Sequence, residues 1–448
     1  MLRQLIALAV AASGTVLVAA PPGQALVATC DGEAATIVST SPADDTITGT
    51  PGRDVILVSG GGYEVIDARG GNDLLCVTTI ENRSSRMYGG LGDDVFFVDG
   101  SGTNQVAAGD GDDTVTATGE GAAFIYGQAG ADHLSTTVAR GAHVAAGRGN
   151  DILRGGPFDD GLTGGEGADR IFAEGEGHDG VSAGPGNDRV RTGGTVTDSV
   201  SLGPGDDVLL GTNSRLTYTG AAARVVVDLV RGRAVGEGLD QLTGVVEVHG
   251  TRFADRLIGT NAAERLNGEE GDDRLEAGGG DDYLDPGTGR DVVLAGAGND
   301  TGNHFTNDDV WLGPGDDDVV TSLGTRIRGG YGNDSIRATN PRDRTLVFGG
   351  PGVDHLQVVA LLTSPTALGV RINLSTGRGL FRGWVFDVAG IEDVMGTRGI
   401  DTLIGDELAN VLNGRDGNDT IDGRGGVDTA DGSNGVDSCI AEILVNCE

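Results

Sequence analysis

A short pattern of small, acidic and apolar positions recurs along the chain. Residues 89–97 read Gly-Gly-Leu-Gly-Asp-Asp-Val-Phe-Phe, and residues 164–172 repeat the same arrangement. The unit is G-G-x-G-x-D-x-U-x, in which U is apolar and lies two positions after the aspartate, as Phe96 follows Asp94. This pattern predicts a turn of small residues followed by a three-residue strand that points one side chain inward.

No single unit can bury its apolar residue, but stacked units can. Turns of chain, or coils, about 4.8 Å apart would align these residues into a continuous core and pair the strand backbones. We therefore predict an all-β protein, a parallel β-solenoid of stacked nonapeptide repeats. Glycines permit loop conformations with positive φ and close backbone approach. The loop glycines that we select are Gly92, Gly111, Gly167, Gly186, Gly205, Gly271, Gly280 and Gly289.

The spacing of the fourth-position glycines predicts two kinds of array. From Gly92 to Gly149 they recur at intervals of nineteen residues and then continue to Gly205 at similar steps, so residues 89–210 should carry mainly one column of loops, on one side of the solenoid. From Gly271 to Gly298 they recur every nine residues, so residues 268–303 should carry loops on both sides.

Two longer segments interrupt the repeats and resemble each other. Residues 225–229 and 370–374 precede matching Gly-Thr segments at 250–259 and 396–405, with an offset close to 146 residues. The predicted organisation is a cap and first array at 26–210, a spacer at 211–249, a second array at 250–357, a spacer at 358–395, and a third array with a C-terminal cap at 396–448.

The N-terminus has the pattern of a secretory signal. Arg3 precedes an apolar run at residues 5–20, and residues 23–25 are a Gly-Gln-Ala cleavage signal. The apolar run is short for a membrane span, and no second run follows it. We expect residues 1–25 to be a signal peptide and the mature chain to be extracellular, without a transmembrane segment.

The charge of the chain favours cations as partners. The net charge is −36 and every basic residue is Arg, which disfavours nucleic acid. Calcium requires six to eight oxygen ligands, more than one aspartate per repeat supplies. Backbone carbonyls of the glycine loops must complete each site, and two stacked loops must contribute half a site each. We therefore expect multiple calcium ions as cofactors, with binding coupled to folding.

The candidate calcium ligands are the sixth-position aspartates of the repeats. Repeats that lack the full pattern, at residues 195–199, 261–265 and 407–411, are expected to turn without metal. The candidates are Asp54, Asp73, Asp94, Asp113, Asp132, Asp151, Asp169, Asp179, Asp188, Asp207, Asp273, Asp282, Asp291, Asp300, Asp317, Asp334, Asp354, Asp401, Asp419 and Asp428.

Four cysteines lie near the two ends of the array. Cys30 and Cys76 are close to its start, and Cys439 and Cys447 are close to its end. Pairing within each set would staple the terminal coils, which have no neighbour to cover them. Lipidation of Cys30 is the alternative, although Thr29 is a poor residue before a lipidation site.

The nonapeptides resemble the RTX, or hemolysin-type, calcium-binding repeat family. The resemblance covers most of residues 44–439 and implies a right-handed parallel β-roll, in which aspartate carboxylates and loop carbonyls bind calcium. Many relatives place such repeats after a catalytic or pore-forming domain and use a C-terminal export signal. This chain instead has an apparent N-terminal signal followed almost directly by repeats, so toxin, protease or lipase activity is not carried over.

No catalytic residues are predicted. The Gly-x-Ser-x-Gly string at residues 180–184 straddles two repeats whose register assigns Val181 to the core. The first functional hypothesis is a secreted calcium-binding structural or interaction protein that folds on export. The alternatives are an adhesin or surface-layer component with a cell-surface or matrix partner, and a polysaccharide-active enzyme on a parallel β-helix.

Overall fold

Short β-strands make up nearly all the regular structure. The computed structural model describes residues 28–40, 44–60, 62–79, 83–322, 324–360 and 367–447, so the expected signal peptide lies outside the described residues. One 3-10 turn, Leu374–Thr376, is the exception among these residues. None of their helical segments is long and apolar enough to cross a membrane.

One unit comprises the described residues up to Thr217 together with Glu237–Val245. Its strands from β3 onward pair mainly in parallel with strands one coil away. They are β1 (Thr29–Cys30), β2 (Glu33–Ala34), β3 (Ile37–Ser39), β4 (Asp45–Thr48), β5 (Val55–Gly60), β6 (Glu64–Asp67), β7 (Leu74–Thr79), β8 (Ser85–Leu91), β9 (Val95–Gly100), β10 (Thr103–Asp110), β11 (Thr114–Thr118), β12 (Ala122–Ala129), β13 (His133–Thr136), β14 (Ala142–Arg148), β15 (Ile152–Arg154), β16 (Gly161–Glu166), β17 (Arg170–Ala173), β18 (Gly180–Ser182), β19 (Arg189–Thr192), β20 (Asp198–Ser201) and β21 (Val208–Thr217).

The second unit comprises Tyr218–Gly236 and the described residues from Val246 onward. The residues of β24 are divided between the two units. The remaining strands are β22 (Val226–Asp228), β23 (Arg233–Val235), β24 (Leu239–His249), β25 (Arg256–Ile258), β26 (Arg265–Asn267), β27 (Arg274–Gly279), β28 (Tyr283–Asp285), β29 (Val292–Ala297), β30 (Thr301–Thr306), β31 (Asp309–Pro314), β32 (Asp318–Ser322), β33 (Arg326–Tyr331), β34 (Ser335–Thr339), β35 (Leu346–Phe348), β36 (His355–Val359), β37 (Leu368–Asn373), β38 (Arg378–Phe381), β39 (Trp384–Ala389), β40 (Asp393–Met395), β41 (Ile400–Ile404), β42 (Val411–Asn413), β43 (Thr420–Asp422), β44 (Thr429–Asp431), β45 (Ser438–Ile440) and β46 (Ile443–Val445).

The apolar residues of successive coils form columns, as the pattern predicts. Phe96 pairs with Val115, and Val115 pairs with Leu134, in the parallel registers of β9, β11 and β13. All three are buried, so the U position forms the core. A second column faces them in the first unit and contains Met87, Val106, Ile125, Val144, Leu162, Val181 and Val200. The predicted all-β parallel solenoid is therefore confirmed.

Each spacer contributes a hairpin to the second unit. Strand β22 pairs antiparallel with β23 and parallel with β25. Strand β37 likewise pairs antiparallel with β38 and parallel with β41. One strand of each hairpin thus continues the parallel stacking, while its partner turns back on it.

The four cysteines form two disulfides. Cys30 is bonded to Cys76, with their Cα atoms 5.7 Å apart, and packs beside Val55 and Leu74. Cys439 is bonded to Cys447, with their Cα atoms 5.9 Å apart. Each end of the array thus carries one covalent link, and no thiol of Cys30 remains for a lipid.

Candidate metal sites

The sixth-position aspartates of successive coils are joined by hydrogen bonds into what we call a carboxylate ladder. The backbone N–H of Asp94 donates to Oδ1 of Asp113 at 2.8 Å, and the N–H of Asp113 donates to Oδ1 of Asp132 at 2.9 Å. Each carboxylate thereby fixes the spacing of two coils. In the first unit the main ladder comprises Asp54, Asp73, Asp94, Asp113, Asp132, Asp151, Asp169, Asp188, Asp207 and Asp240.

Further ladders follow the same rule on other turns. A short one in the first unit contains Asp160, Asp179 and Asp198. The second unit has four ladders. The first contains Asp255, Asp273, Asp291 and Asp308, and the second contains Glu264, Asp282, Asp300, Asp317, Asp334, Asp354 and Glu392. The third contains Asp401, Asp419 and Asp437, and the fourth contains Asn410, Asp428 and Glu442.

The second carboxylate oxygen of most ladder aspartates is buried with no hydrogen-bond partner. A buried charged oxygen is strongly unfavourable unless a donor or a cation satisfies it. Within the part of the chain that the structure describes, this unpartnered Oδ2 belongs to Asp73, Asp94, Asp113, Asp132, Asp151, Asp169, Asp179, Asp188, Asp207, Asp273, Asp282, Asp291, Asp300, Asp317, Asp334, Asp354, Asp419, Asp428 and Asp437.

Oxygens from two coils converge beside the first glycine of many loops. A Cβ atom built on Gly164 would lie 2.4 Å from Asp169 Oδ2 and 2.5 Å from the carbonyl oxygen of Ala183, one coil later. A Cβ built on Gly268 would lie 2.5 Å from both Asp273 Oδ2 and the Pro286 carbonyl oxygen. Neither position has room for a Cβ atom, so only glycine lets the carboxylate oxygen and the carbonyl oxygen of the next coil converge there, and calcium prefers such oxygen-rich surroundings.

Many of the buried ladder aspartates have raised pKa values. Burial raises the pKa of Asp94 and Asp113 to about 7, and neighbouring carboxylates add to this effect. Burial and the carboxylates of Asp291, Asp255 and Asp272 raise the pKa of Asp273 to about 8. A divalent cation would favour the ionised form of such groups by adding positive charge beside them.

The remaining ligands must come from the backbone. Among the described residues, no group of three or more His, Cys, Asp or Glu side chains could hold a metal. All the loop glycines that we selected from the sequence have positive φ, from 96° at Gly280 to 158° at Gly289. Gly111 packs directly on Gly92, where a Cβ would meet the Gly92 carbonyl oxygen at 2.2 Å. These conformations expose carbonyl oxygens to the space between coils.

The structure places all the candidate aspartates on ladders, but two of them differ from the rest. Both oxygens of the Asp54 and Asp401 carboxylates accept hydrogen bonds, chiefly from Thr50 and Thr397. Asp179 lies on the short ladder rather than on the main one.

Several ladder acids do not fit the full glycine pattern and are absent from the candidates predicted from the sequence. The loop before Asp160 has Phe158 at the fourth position, for example, where the pattern requires glycine. An apolar residue two positions after the acid is the signal that could have found most of the others. The missed acids are Asp160, Asp198, Asp240, Asp255, Glu264, Asp308, Glu392, Asp437 and Glu442.

These features define a repeat solenoid whose coils are built to hold cations between stacked loops. A family model for the RTX calcium-binding nonapeptide repeat (four copies) matches residues 39–75, 98–134, 146–176, 249–284, 258–293, 287–302 and 404–439. The chain therefore carries RTX calcium-binding nonapeptide repeats, and the cofactor of these repeats is calcium, bound at multiple sites. Comparison with curated proteins found no match.

Proposed function

We propose that the protein is a secreted structural protein whose loops bind calcium and fold into the solenoid after export. The observation that carries this proposal is the series of buried, unpartnered Asp Oδ2 atoms, many of which face a backbone carbonyl of the next coil. The apparent signal at residues 1–25 and the two disulfides support an oxidising, extracellular location.

Calcium would stabilise the protein by joining neighbouring coils. Asp169 Oδ2 and the Ala183 carbonyl oxygen belong to successive coils, so their site forms only when both coils are folded. Binding free energy at such a site is folding free energy. The ladder aspartates with an unpartnered Oδ2 are the proposed carboxylate ligands, and the ion would neutralise their mutual repulsion.

A calcium titration of chelated protein tests this proposal. We expect the far-ultraviolet β signal and the unfolding temperature to rise as calcium approaches the millimolar range typical of extracellular sites. Each site adds about 2.7 kcal/mol of stability when calcium is at about 100 times its Kd. Magnesium at the same concentration is the control and should have a smaller effect, because it retains its water ligands. An unchanged unfolding temperature up to several millimolar calcium would contradict the proposal.

A second candidate function is presentation of a binding surface by the rigid solenoid. Trp384 in the second spacer is 44% exposed, whereas Phe381 beside it is buried. Trp384, Arg342 and Arg382 line a cavity of about 430 Å³. An aromatic face beside two guanidinium groups favours a glycan that carries carboxylates.

Glycan binding to matched variants tests this second function. Trp384→Ala should abolish binding to a panel of acidic glycans without changing calcium-dependent folding. Leu408→Ala removes an exposed apolar side chain outside the spacers and should leave binding intact. Equal binding by both variants would reject Trp384 as a contact residue.

A further inference from the structure

The first loop of each ladder differs from the loops that follow it. In four ladders the second residue of this first loop is a threonine, four positions before the acid. The pairs are Thr50 with Asp54, Thr251 with Asp255, Thr260 with Glu264, and Thr397 with Asp401. Each of these acids is the first carboxylate of its ladder.

The loop around Asp401 illustrates the arrangement. The N–H of Thr397 donates to Asp401 Oδ2 at 2.7 Å, and the Thr397 hydroxyl donates to Asp401 Oδ1 at 2.9 Å. The N–H of Val370, in the preceding spacer hairpin, also donates to Oδ1. Both oxygens of this buried carboxylate are therefore satisfied by protein donors.

The equivalent carboxylate in the second array has the same surroundings. The N–H and hydroxyl of Thr251 donate to the two oxygens of Asp255 at 2.5 Å and 3.0 Å, and Val225 N–H donates to Oδ1 at 2.7 Å. Val225 and Val370 occupy matching positions in the two spacer hairpins. Both copies of the duplicated module thus use a threonine and a spacer valine to bond the first carboxylate of the ladder.

The two other threonine loops use the same donors. Thr50 N–H donates to Asp54 Oδ2 at 2.6 Å, and its hydroxyl donates to the same oxygen at 3.0 Å. Thr260 N–H donates to Glu264 Oε2 at 3.1 Å, and its hydroxyl bonds to Oε1. None of the four acids retains a buried oxygen without a partner.

Later loops direct the same N–H away from their own carboxylate. The N–H of Gly165 donates to the Ala183 carbonyl oxygen of the next coil at 2.9 Å, which leaves Asp169 Oδ2 unpartnered. The N–H of Gly330 donates to the Gly349 carbonyl oxygen at 2.9 Å, with the same consequence for Asp334. The direction of the second residue's N–H therefore decides whether the carboxylate is closed, with both oxygens bonded, or open, with Oδ2 unpartnered. Gly156, which has no positive φ, likewise donates to Asp160 of its own loop.

Backbone conformation separates the same two kinds of loop. In nearly every open loop the second residue has positive φ, even where it is not glycine, whereas none of the four threonines has positive φ. A β-branched residue strongly disfavours that conformation. The residues other than glycine that accept it in open loops are Arg69, Gln128, Glu269, Arg415, Arg424 and Ser433.

We propose that the threonine loops are calcium-independent start loops, in which threonine at the second position excludes calcium. The threonine also fixes the first carboxylate of a ladder in the position on which the next coil stacks. This inference rests on the proposed calcium function of the open loops. It divides the acids of the repeats into two classes. Asp54, Asp255, Glu264 and Asp401 are structural acceptors, and the open-loop aspartates are calcium ligands.

Conversion of a start loop into an open loop tests the inference. Thr397→Gly changes Gly-Thr-Arg-Gly-Ile-Asp into Gly-Gly-Arg-Gly-Ile-Asp and removes the hydroxyl that closes Asp401. Native mass spectrometry of the full chain at saturating calcium should count one more ion in this variant than in the wild type. Thr251→Gly should give the same gain independently, which protects the test against misfolding of one variant.

Thr397→Ser is the matched control, because serine keeps both donors and should leave the ion count unchanged. An unchanged count in the two glycine variants, with the wild type binding calcium, would overturn the start-loop inference and leave the proposed function intact. A wild type without bound calcium would overturn both.

Discussion

The coils around residues 103–153 and those around residues 255–317 differ in how many of their turns carry a ladder acid. In the first region, acidic loops occupy one side of the solenoid, and the opposite turns carry neutral residues such as Asn104, Ala123 and Ala142 at the position of the acid. In the second region both turns of each coil are acidic, as Asp273 and Asp282 illustrate.

The strands differ in length as well. Strands β10 and β12 are eight residues long, and their backbones pair along most of that length. In the second region the longest strands, β27 and β29 to β31, have six residues, and β25, β26 and β28 have three. Coils with acids on one side (one-sided coils) thus include the longest strands of the two regions, whereas coils with acids on both sides (two-sided coils) have shorter strands and carry twice as many acidic loops. Calcium dependence should therefore be a local property of each region rather than a uniform property of the repeat.

The largest expected effect is a regional loss of structure when calcium is removed. Hydrogen exchange measured by mass spectrometry, with and without chelator, should show that amides in residues 255–317 lose protection on the order of 100-fold, equivalent to about 2.7 kcal/mol. Amides in β10 and β12 should lose much less. The calcium-loaded protein is the control, and an equal loss in both regions would contradict the comparison.

A collective effect of pH should come next. The ladder carboxyls have folded pKa values of about 7 at Asp113 and about 8 at Asp273, above the ordinary value of 3.8. Their contribution to stability is complete below the unfolded pKa and is lost as pH rises through the folded pKa. Chelated protein should therefore be more stable at pH 5 than at pH 8.5.

Saturating calcium should reverse this pH dependence, because the ion requires ionised carboxylates. Denaturation midpoints at both pH values, with chelator or calcium, measure the two slopes. Slopes of the same sign in the two conditions would show that the buried carboxylates are not where calcium acts.

Much of this architecture was predictable because the repeat encodes it locally. The apolar residue two positions after each aspartate directly marks a core position, as Phe96 and Leu134 do. Ladder acids that lack the full glycine pattern, such as Asp160, keep only its final part, since Leu162 follows two positions later; their place on a ladder also depends on alignment with neighbouring coils. The role of Thr397 in bonding Asp401 was not predictable from the sequence, because it depends on the direction of one backbone N–H.

A single carboxylate should have a smaller effect that differs between the regions. Asp282→Asn and Asp113→Asn both keep an oxygen to accept the ladder N–H but lose the charge that faces calcium. With calcium, each should lose on the order of 1–3 kcal/mol, and Asp282→Asn should lose more because the opposite turn of its coil is also acidic. Without calcium both should be slightly stabilising, since a buried charge is removed. Urea denaturation in both conditions measures this reversal, and its absence would argue against a ligand role.

The smallest effect should come from adding a carboxylate to the one-sided region. Asn104 is buried, accepts the Ser85 N–H at 3.1 Å and occupies the position of a ladder acid, with Gly102 before it in the loop. Asn104→Asp should destabilise chelated protein by about 1 kcal/mol, because a buried charge replaces a neutral amide. Calcium should offset this loss if the turn can form half a site. Thr103→Asp adds the same charge on the exposed neighbouring residue and should show no calcium-dependent difference in urea denaturation. A loss at Asn104 that calcium does not reduce would mean that the neutral side lacks the loop geometry, and not merely the charge, of the two-sided coils.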